Sequence, residues 1–348
     1  MKGRNIYITV IMTLLTLVSC QEDELYTGPC EVKVRLYGKE HVEVTRSGMY
    51  VPLSESSPSF TAGLYVTMGN QTACCFPIEW NGRTWSGNIF LEKGDYTFYS
   101  CMPLREGKTA FNNGANDSFV LSKIPGLGTD DIMISNAAVT KTIDNDADIA
   151  LSMKMDHIMA CVSPQFYLHD VYADLRSIEI KAVEFAIFDG EKIDIPYYKA
   201  TATYSKEFDI AWESDDAGDA EEASEKTDSV YETDEEEGGW VKVYDASRSP
   251  MLNKETTTKE NALAFGNCYV SPIQSTEKLK MRVTYNVYDK TGVLVRENVQ
   301  AVNSIKKLAG LSQENTLAPG YNYKLYVKIV PSYLYVLSDN DEVFVIND

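Results

Sequence analysis

Histidine and cysteine are the side chains from which a catalytic or metal site would most readily be built. The 348-residue sequence contains three histidines, His41, His157 and His169, and seven cysteines. His157 shares the parity of apolar residues in a predicted strand, which is typical of a buried histidine that is hydrogen-bonded within the core. No C-x-x-C pair, phosphate-binding glycine loop or nucleophile elbow is present. We therefore predict no catalytic residue, no metal site and no cofactor, and expect that the protein is not an enzyme.

Cys20 is the cysteine with the clearest chemical context. Two bases, Lys2 and Arg4, precede an apolar stretch at Ile6–Val18, which is shorter than the roughly 20 residues that a membrane-spanning helix needs. The stretch leads into L-V-S-C, which resembles the lipobox of bacterial lipoproteins, where the cysteine thiol accepts a diacylglycerol and the chain is cleaved just before it. We predict a lipoprotein signal peptide over residues 1–19, and a mature chain held in the outer membrane by acyl chains such as palmitate on Cys20.

An acidic tether follows the lipidation site over residues 20–29. Its Gln21–Glu24 cluster resembles the signal that sends lipoproteins of Bacteroidota to the outer face of the outer membrane. The other interpretation is a solvated spacer without a role in export. We expect the mature protein to be exposed on the cell surface.

The net charge is concentrated in one segment. Lys and Arg total 32 against 51 Asp and Glu, for a formal charge of −19, and so acidic a chain lacks the basic surface that a nucleic-acid partner requires. Residues 213–237 contain thirteen acids and one lysine. Few apolar residues are available there to offset the entropy of ordering, so we predict an acidic disordered loop. A cation- or partner-binding loop is the alternative.

Ser229, in a D-S-V sequence that resembles an O-glycosylation motif of Bacteroidota, is a candidate modification site.

Strict alternation of apolar and polar residues dominates the rest of the chain and predicts half-buried strands. The clearest runs lie at 30–36, 60–68, 279–287 and 321–329. Helical periodicity is confined to short stretches, at 170–177 and 304–311. This pattern predicts an all-β fold made of antiparallel sandwiches.

The longest alternation suggests how the chain divides. It runs from Ile149 to Cys161 and follows a polar stretch at Thr140–Asp148. We interpret the polar stretch as a linker and the run as one central strand that opens a second domain. The predicted organisation is an N-terminal β-sandwich domain over 30–146 and a C-terminal one over 147–348.

Several loose motifs together resemble the fimbrillin superfamily of Bacteroidota. Besides the lipobox, they are a first strand of the form C-x-V-x-V-x-L, G-D-Y-T-F-Y-S-C-M-P at Gly94–Pro103, D-D-I-M-I at Asp130–Ile134, and A-P-G-Y-N-Y at Ala318–Tyr323. The resemblance implies two transthyretin-like antiparallel β-sandwich domains in tandem after the signal peptide. It also implies a cell-surface fimbrial, or pilus, protein that contributes to adhesion.

The same resemblance implies a way of assembly. The first strand after the tether, Cys30–Val44, would plug a groove in the N-terminal domain through Val32, Val34 and Leu36. A trypsin-like protease would then cut after Arg46 and before Ser47, and a strand of the next subunit would replace the plug by β-augmentation. The alternative is that Arg46 is an ordinary surface residue of a hairpin.

Two further roles stay open. Tyr26–Cys30 resembles the openings of fimbrillin-associated anchor proteins, which keep their lipid and hold the base of the fimbria. The C-terminal strands around Leu325 and Phe344 would either donate to a neighbour or complete the second sandwich. From a different class, a surface glycan-binding lipoprotein of a polysaccharide-uptake system would use exposed Trp80, Trp85 and tyrosines to stack on sugars. The partners implied are other fimbrial subunits and a host or bacterial surface ligand.

Overall fold

A computed structural model describes residues 30–41, 48–53, 61–69, 74–105, 108–112, 118–143, 149–204, 208–215, 239–305, 316–330, 334–337 and 343–345. Strands make up most of these residues, and the fold is all-β, as the alternation predicts. Helical structure within these ranges amounts to α1, Asp170–Ala173, and two 3-10 turns at Lys259–Asn261 and Thr276–Lys278. None of it is a helix long and apolar enough to cross a membrane.

The strands follow one another in chain order through the described residues. They are β1 Cys30–Lys39, β2 Tyr50–Pro52, β3 Thr61–Met68, β4 Cys74–Trp80, β5 Trp85–Leu91, β6 Gly94–Met102, β7 Thr109–Asn112, β8 Ser118–Pro125, β9 Leu127–Gly128, β10 Met133–Ser135, β11 Val139–Ile143, β12 Ile149–His157, β13 Ala160–Leu168, β14 Arg176–Asp189, β15 Lys192–Ile193, β16 Tyr197–Thr203, β17 Asp209–Ser214, β18 Val241–Asp245, β19 Met251–Leu252, β20 Leu263–Ala264, β21 Cys268–Val270, β22 Leu279–Asp289, β23 Leu294–Ser304, β24 Asn322–Ile329, β25 Leu334–Leu337 and β26 Val343–Val345.

The first sheet closes on itself. Its strand order is β10-β12-β1-β5-β4-β3-β6-β11, with β2 beside β1, and β10 pairs with β6 as well as with β12. The apolar residues of these strands therefore share one interior, which contains Leu64, Trp85 and Phe98. Closure leaves few backbone edges unpaired, so a strand inside this sheet is held by hydrogen bonds on both sides.

The strand interpreted as the opening of a second domain belongs to this first sheet. β12 ends at His157, and it pairs in parallel with β1 from Val32–Ile149 to Gly38–Met155. The apolar run also does not continue as one strand, because the chain leaves the first sheet at Ile158 and Met159 and enters another sheet as β13. Alternation records which side chains are buried, and it cannot record a change of sheet.

Two of the remaining sheets form a second core, and a third packs against the first sheet. One sheet has the order β26-β25-β24-β13-β21-β9, with β20 beside β13, and another has the order β15-β14-β22-β23, with β18 and β19 beside β14. Their facing residues, among them Phe166, Phe185 and Leu325, form one core. A smaller sheet, β17-β16-β8-β7, packs against the outer side of β3 and β6 around Tyr99 and Phe119.

Candidate functional site: the place of β1 in the closed sheet

β1 is enclosed along both edges. On one side it runs parallel to β12 over Val32–Gly38. On the other side, β5 pairs with Cys30–Val34 and β2 pairs with Tyr37–Lys39. We call this position, between β12 on one side and β5 with β2 on the other, the β1 slot. Main-chain hydrogen bonds on both edges give a strand in this slot a fixed register.

The inward side chains of β1 fill the interior of the closed sheet. Val32 and Val34 are 0% exposed and Leu36 is 1% exposed, as the alternation predicts. The outward residues Lys33 and Arg35 are exposed. Burying side chains of this size stabilises each by about 1.5–3 kcal/mol relative to exposure, so the slot selects for an apolar residue at every second position.

Gly38 is the next inward-facing residue of β1 after Leu36, and the space beside it is already occupied. A Cβ at Gly38 would lie 2.6 Å from Leu53 Cδ2 and 3.0 Å from Met133 Cε. Leu53 is fixed there because its N–H donates to the Leu36 carbonyl at 2.9 Å and its carbonyl accepts the Trp85 Nε1–H at 3.0 Å. Side chains from outside β1 thus occupy the space opposite Gly38, and a β1 residue with a side chain at this position would have to displace the ends of Leu53 and Met133.

Three polar side chains meet where β1 ends. His157 Nδ1 lies 2.8 Å from Asp131 Oδ1, and His41 Nε2 lies 3.0 Å from Asp131 Oδ2. The two imidazole rings stack with centroids 3.6 Å apart. The His157 Nε2–H donates to the carbonyl oxygen of Lys39, the last residue of β1. Because β1 and β12 are parallel, their carboxyl ends lie side by side, which brings His41 next to His157.

Burial strengthens the electrostatic interactions within this cluster. Asp131 is 2% exposed and His157 is 8% exposed. Burial alone would raise the pKa of Asp131, but hydrogen bonds from His157 and His41 outweigh it and hold that pKa below its ordinary value. The carboxylate is therefore ionised and is held by hydrogen bonds to its two neighbours.

The structure departs from the sequence analysis at the histidines. The prediction that His157 is a satisfied core residue is confirmed, since both of its ring nitrogens have partners. Its grouping with His41 and Asp131 was missed. Asp131 was noted as part of the D-D-I-M-I motif, but the three residues come from distant parts of the chain. The parallel pairing that joins them leaves no signal in a single sequence.

The glycan-binding hypothesis was wrong about its most important side chain. Trp85 is 1% exposed and belongs to the core of the closed sheet. Trp80 packs beside it with the ring centroids 6.0 Å apart and is only partly exposed. A tryptophan whose ring faces are covered cannot stack on a sugar, so this pair does not form a planar exposed platform.

Other predicted residues have different outcomes. Leu325 of β24 is buried between β13 and β25, so this strand completes the second core. β25 and β26 form a hairpin at one end of that sheet, and Phe344 lies in β26.

The following lie outside the described residues: Cys20 and the segments 1–19 and 20–29, Arg46, Ser47, Ser229 and residues 216–238 of the acidic segment. The polar linker is partly strand, because β11 extends to Ile143.

Comparison with known proteins finds similarity only among solved structures. No protein family and no curated protein matches the chain. A crystal structure described as a putative cell adhesion protein from Bacteroides uniformis is 12% identical, with 90% of this chain and 98% of that chain covered at a TM-score of 0.44. Another so described, from Bacteroides ovatus, is 11% identical, with 93% and 99% covered at 0.42. A fimbrial protein from Bacteroides vulgatus is 12% identical, with 90% and 98% covered at 0.39.

Proposed function

We propose that this chain is a non-enzymatic lipoprotein of the bacterial surface that acts either as a fimbrial subunit, which assembles by β-strand exchange through the β1 slot, or as a fimbrial anchor, which keeps its lipid and β1. The observation that carries the proposal is the position of β1. The strand that directly follows the predicted tether is an inner strand of a closed sheet, paired on both edges and buried on one face. This agrees with the fimbrillin resemblance of the sequence.

Strand exchange has a physical basis in this arrangement. Without β1, the edges of β12, β5 and β2 would be unpaired and the pockets of Val32, Val34 and Leu36 would be open to water. An incoming strand with the same alternation restores both the hydrogen bonds and the apolar burial.

Proteolysis would make the exchange possible. Arg46 and Ser47 lie in the connection between β1 and β2. Hydrolysis of that peptide bond separates the covalent β1 plug from β2, which stays with the rest of the chain. The plug is then held only by noncovalent contacts, and a strand from another subunit can compete for the slot.

The C-terminal hairpin is the proposed donor. β25 and β26 lie at the end of their sheet, beyond β24, so their departure would leave the pairing of β24 with β13 intact. In a polymer, this segment of one subunit would occupy the β1 slot of the next. Other fimbrial subunits are therefore the principal partners, with an adhesion ligand on a host or bacterial surface.

Subunit and anchor differ in the fate of the N-terminus. A shaft subunit loses the lipid with the plug, whereas an anchor keeps both Cys20 and β1. Mass spectrometry of the protein recovered from its native cell surface tests this. A Ser47 N-terminus in high-mass polymers indicates a shaft subunit, and an acylated Cys20 with the Arg46–Ser47 bond intact indicates an anchor. An unacylated intact chain in the periplasm would contradict both.

Limited trypsin digestion tests the exchange itself. We expect the chain from Cys20 onward to be cut after Arg46 and then to form polymers that retain Ser47 as their N-terminus. The Arg46→Gln variant should remain monomeric, whereas the matched Arg35→Gln variant should behave like the wild type because Arg35 lies within the paired strand. Cleavage at Arg46 without any polymer, under conditions where the folded body survives, would refute strand exchange through this slot.

A further inference from the structure

We propose that His41, Asp131 and His157 form a binding site for a divalent transition-metal ion, for which zinc is the best match. Two imidazoles and one carboxylate are a donor set that zinc commonly uses, with a fourth position left for water. One ligand atom from each residue lies within 4.8 Å of the others. His41 precedes Arg46, so the complete site exists in the chain that keeps β1, and exchange of the plug after cleavage at Arg46 would remove His41 from it.

The distances are close to those of a tetrahedral site. With bonds of about 2.0–2.2 Å, neighbouring ligand atoms around zinc are roughly 3.3 Å apart. The Asp131 oxygens already lie 2.8 Å from His157 Nδ1 and 3.0 Å from His41 Nε2. These two separations would have to increase by only a few tenths of an ångström to reach the spacing of zinc ligands.

The hydrogen bond to Lys39 favours a cation between the three side chains. His157 uses Nε2–H to donate to the Lys39 carbonyl, so in neutral histidine the Nδ1 atom carries a lone pair. That lone pair would face the ionised Asp131 at 2.8 Å, which is repulsive unless Nδ1 is also protonated or binds a metal. A metal-ligating histidine whose other N–H donates to a backbone carbonyl is the usual arrangement in protein metal sites.

The position of the cluster suits a bound ion. Asp131 and His157 are buried, which strengthens their attraction to a cation, while the His41 side chain is 17% exposed and provides a path from solvent. The three ligands follow β1, precede β10 and end β12 respectively. A metal would therefore join three separate chain segments at one end of the closed sheet.

Titration with Zn²⁺ by isothermal calorimetry, and with Co²⁺ followed by visible absorption, tests the site in the chain from Cys20 onward. We expect one ion per chain, and the intense Co²⁺ absorption of a four-coordinate site. His41→Gln and Asp131→Asn should each weaken binding more than tenfold. His169→Gln is the matched control, because this histidine lies outside the cluster and should leave binding unchanged.

Thermal unfolding provides the second measurement. Zinc should raise the melting temperature of the wild type and of His169→Gln but not of His41→Gln. His41 is partly exposed, so its replacement can be examined even if Asp131→Asn does not fold. Absence of saturable binding would overturn the proposal. Equal affinity in wild type and His41→Gln would also overturn it, since the ion would then reside elsewhere, for example on the acidic segment.

Discussion

Two strands of similar length, β1 and β23, have opposite surroundings. β1 is paired on both edges inside a closed sheet, and its alternate side chains are completely buried. β23 pairs with β22 and ends its sheet, and Leu294, Val295 and Val302 on it are 43%, 47% and 47% exposed. Both strands are rich in apolar residues.

The difference shows that apolar content does not decide how much a strand contributes to stability. β1 contributes through enclosure, because each inward side chain meets the interior of the closed sheet. β23 contributes mainly the hydrogen bonds along one edge. An edge strand with exposed apolar residues tolerates substitution, whereas an enclosed strand transmits each change to its neighbours.

The same leucine truncation on the two strands should give the largest contrast. Leu36→Ala leaves a cavity in a position that is 1% exposed, and we expect a loss of about 3 kcal/mol in unfolding free energy. Leu294→Ala, at 43% exposure, should cost less than about 0.5 kcal/mol. Urea unfolding of both variants measures the contrast, and similar losses would contradict the enclosure of β1.

Replacing a glycine by alanine should destabilise the protein at both strands, but for different reasons. Gly38→Ala places a Cβ against Leu53, and we expect a cost of about 2 kcal/mol from overpacking. Gly292, in the turn before β23, has open space but a φ of +82°, so Gly292→Ala should cost about 1 kcal/mol through backbone strain.

A second substitution distinguishes these two causes. Leu53→Ala should relieve much of the Gly38→Ala penalty, because it removes the atoms that the new methyl group meets. It should leave the Gly292→Ala penalty unchanged. A double-mutant cycle from denaturation midpoints measures the coupling. Additive penalties for Gly38→Ala and Leu53→Ala would show that space is not what restricts the β1 slot.

The sequence was sufficient to predict the strands themselves. The alternation at 30–36 and 279–287 lies within β1 and β22, and the run at 321–329 matches β24 except for its first residue, because the side-chain period of a strand is a local property. The turn after β4 also has a local cause, since Gly82 has a φ of 90° and Asn81 Oδ1 accepts the N–H groups of Arg83 and Thr84.

Features that depend on distant residues could not be predicted in this way. β12 pairs with β1 across more than a hundred residues of chain, and the closure of the sheet through β10 requires partners from three regions. The His41–Asp131–His157 cluster is a consequence of that pairing. The burial of Trp85 has the same origin, since its parity alone cannot tell a closed interior from an exposed face.

Asn298 allows the backbone conformation of the edge strand β23 to be tested. It has a φ of 52°, and its N–H donates to Asn286 Oδ1 of β22 at 2.9 Å. Asn298→Val forces a β-branched residue into the left-handed region, so we expect a loss of about 1 kcal/mol. Asn298→Gly should be nearly neutral. Equal losses in urea unfolding would mean that the asparagine side chain, and not the backbone conformation, matters at this position.

The smallest expected effect is a dependence on acid that Glu179 gives to the β22–β23 side. Glu179 of β14 accepts hydrogen bonds from Tyr288 at 2.8 Å and from Asn286 at 3.3 Å. Burial raises the pKa of Glu179, but these bonds and the nearby Lys181 outweigh it, so the folded-state pKa lies below the usual 4.5. The stability that the carboxylate contributes is therefore complete above pH 4.5 and is lost as the pH falls through the folded-state pKa.

Hydrogen exchange at several pH values measures this local effect. Relative to intrinsic exchange rates, protection of the β22 and β23 amides in the wild type should decline as the pH falls below about 4.5. Protonation of Glu179 should not lower the protection of the β1 amides. Glu179→Gln should flatten the decline, whereas Glu297→Gln, at an exposed position of β23, should not. If the decline in Glu179→Gln were as steep as in the wild type, other carboxylates would hold the edge strand, and the Glu179–Asn286–Asn298 chain would not support β23.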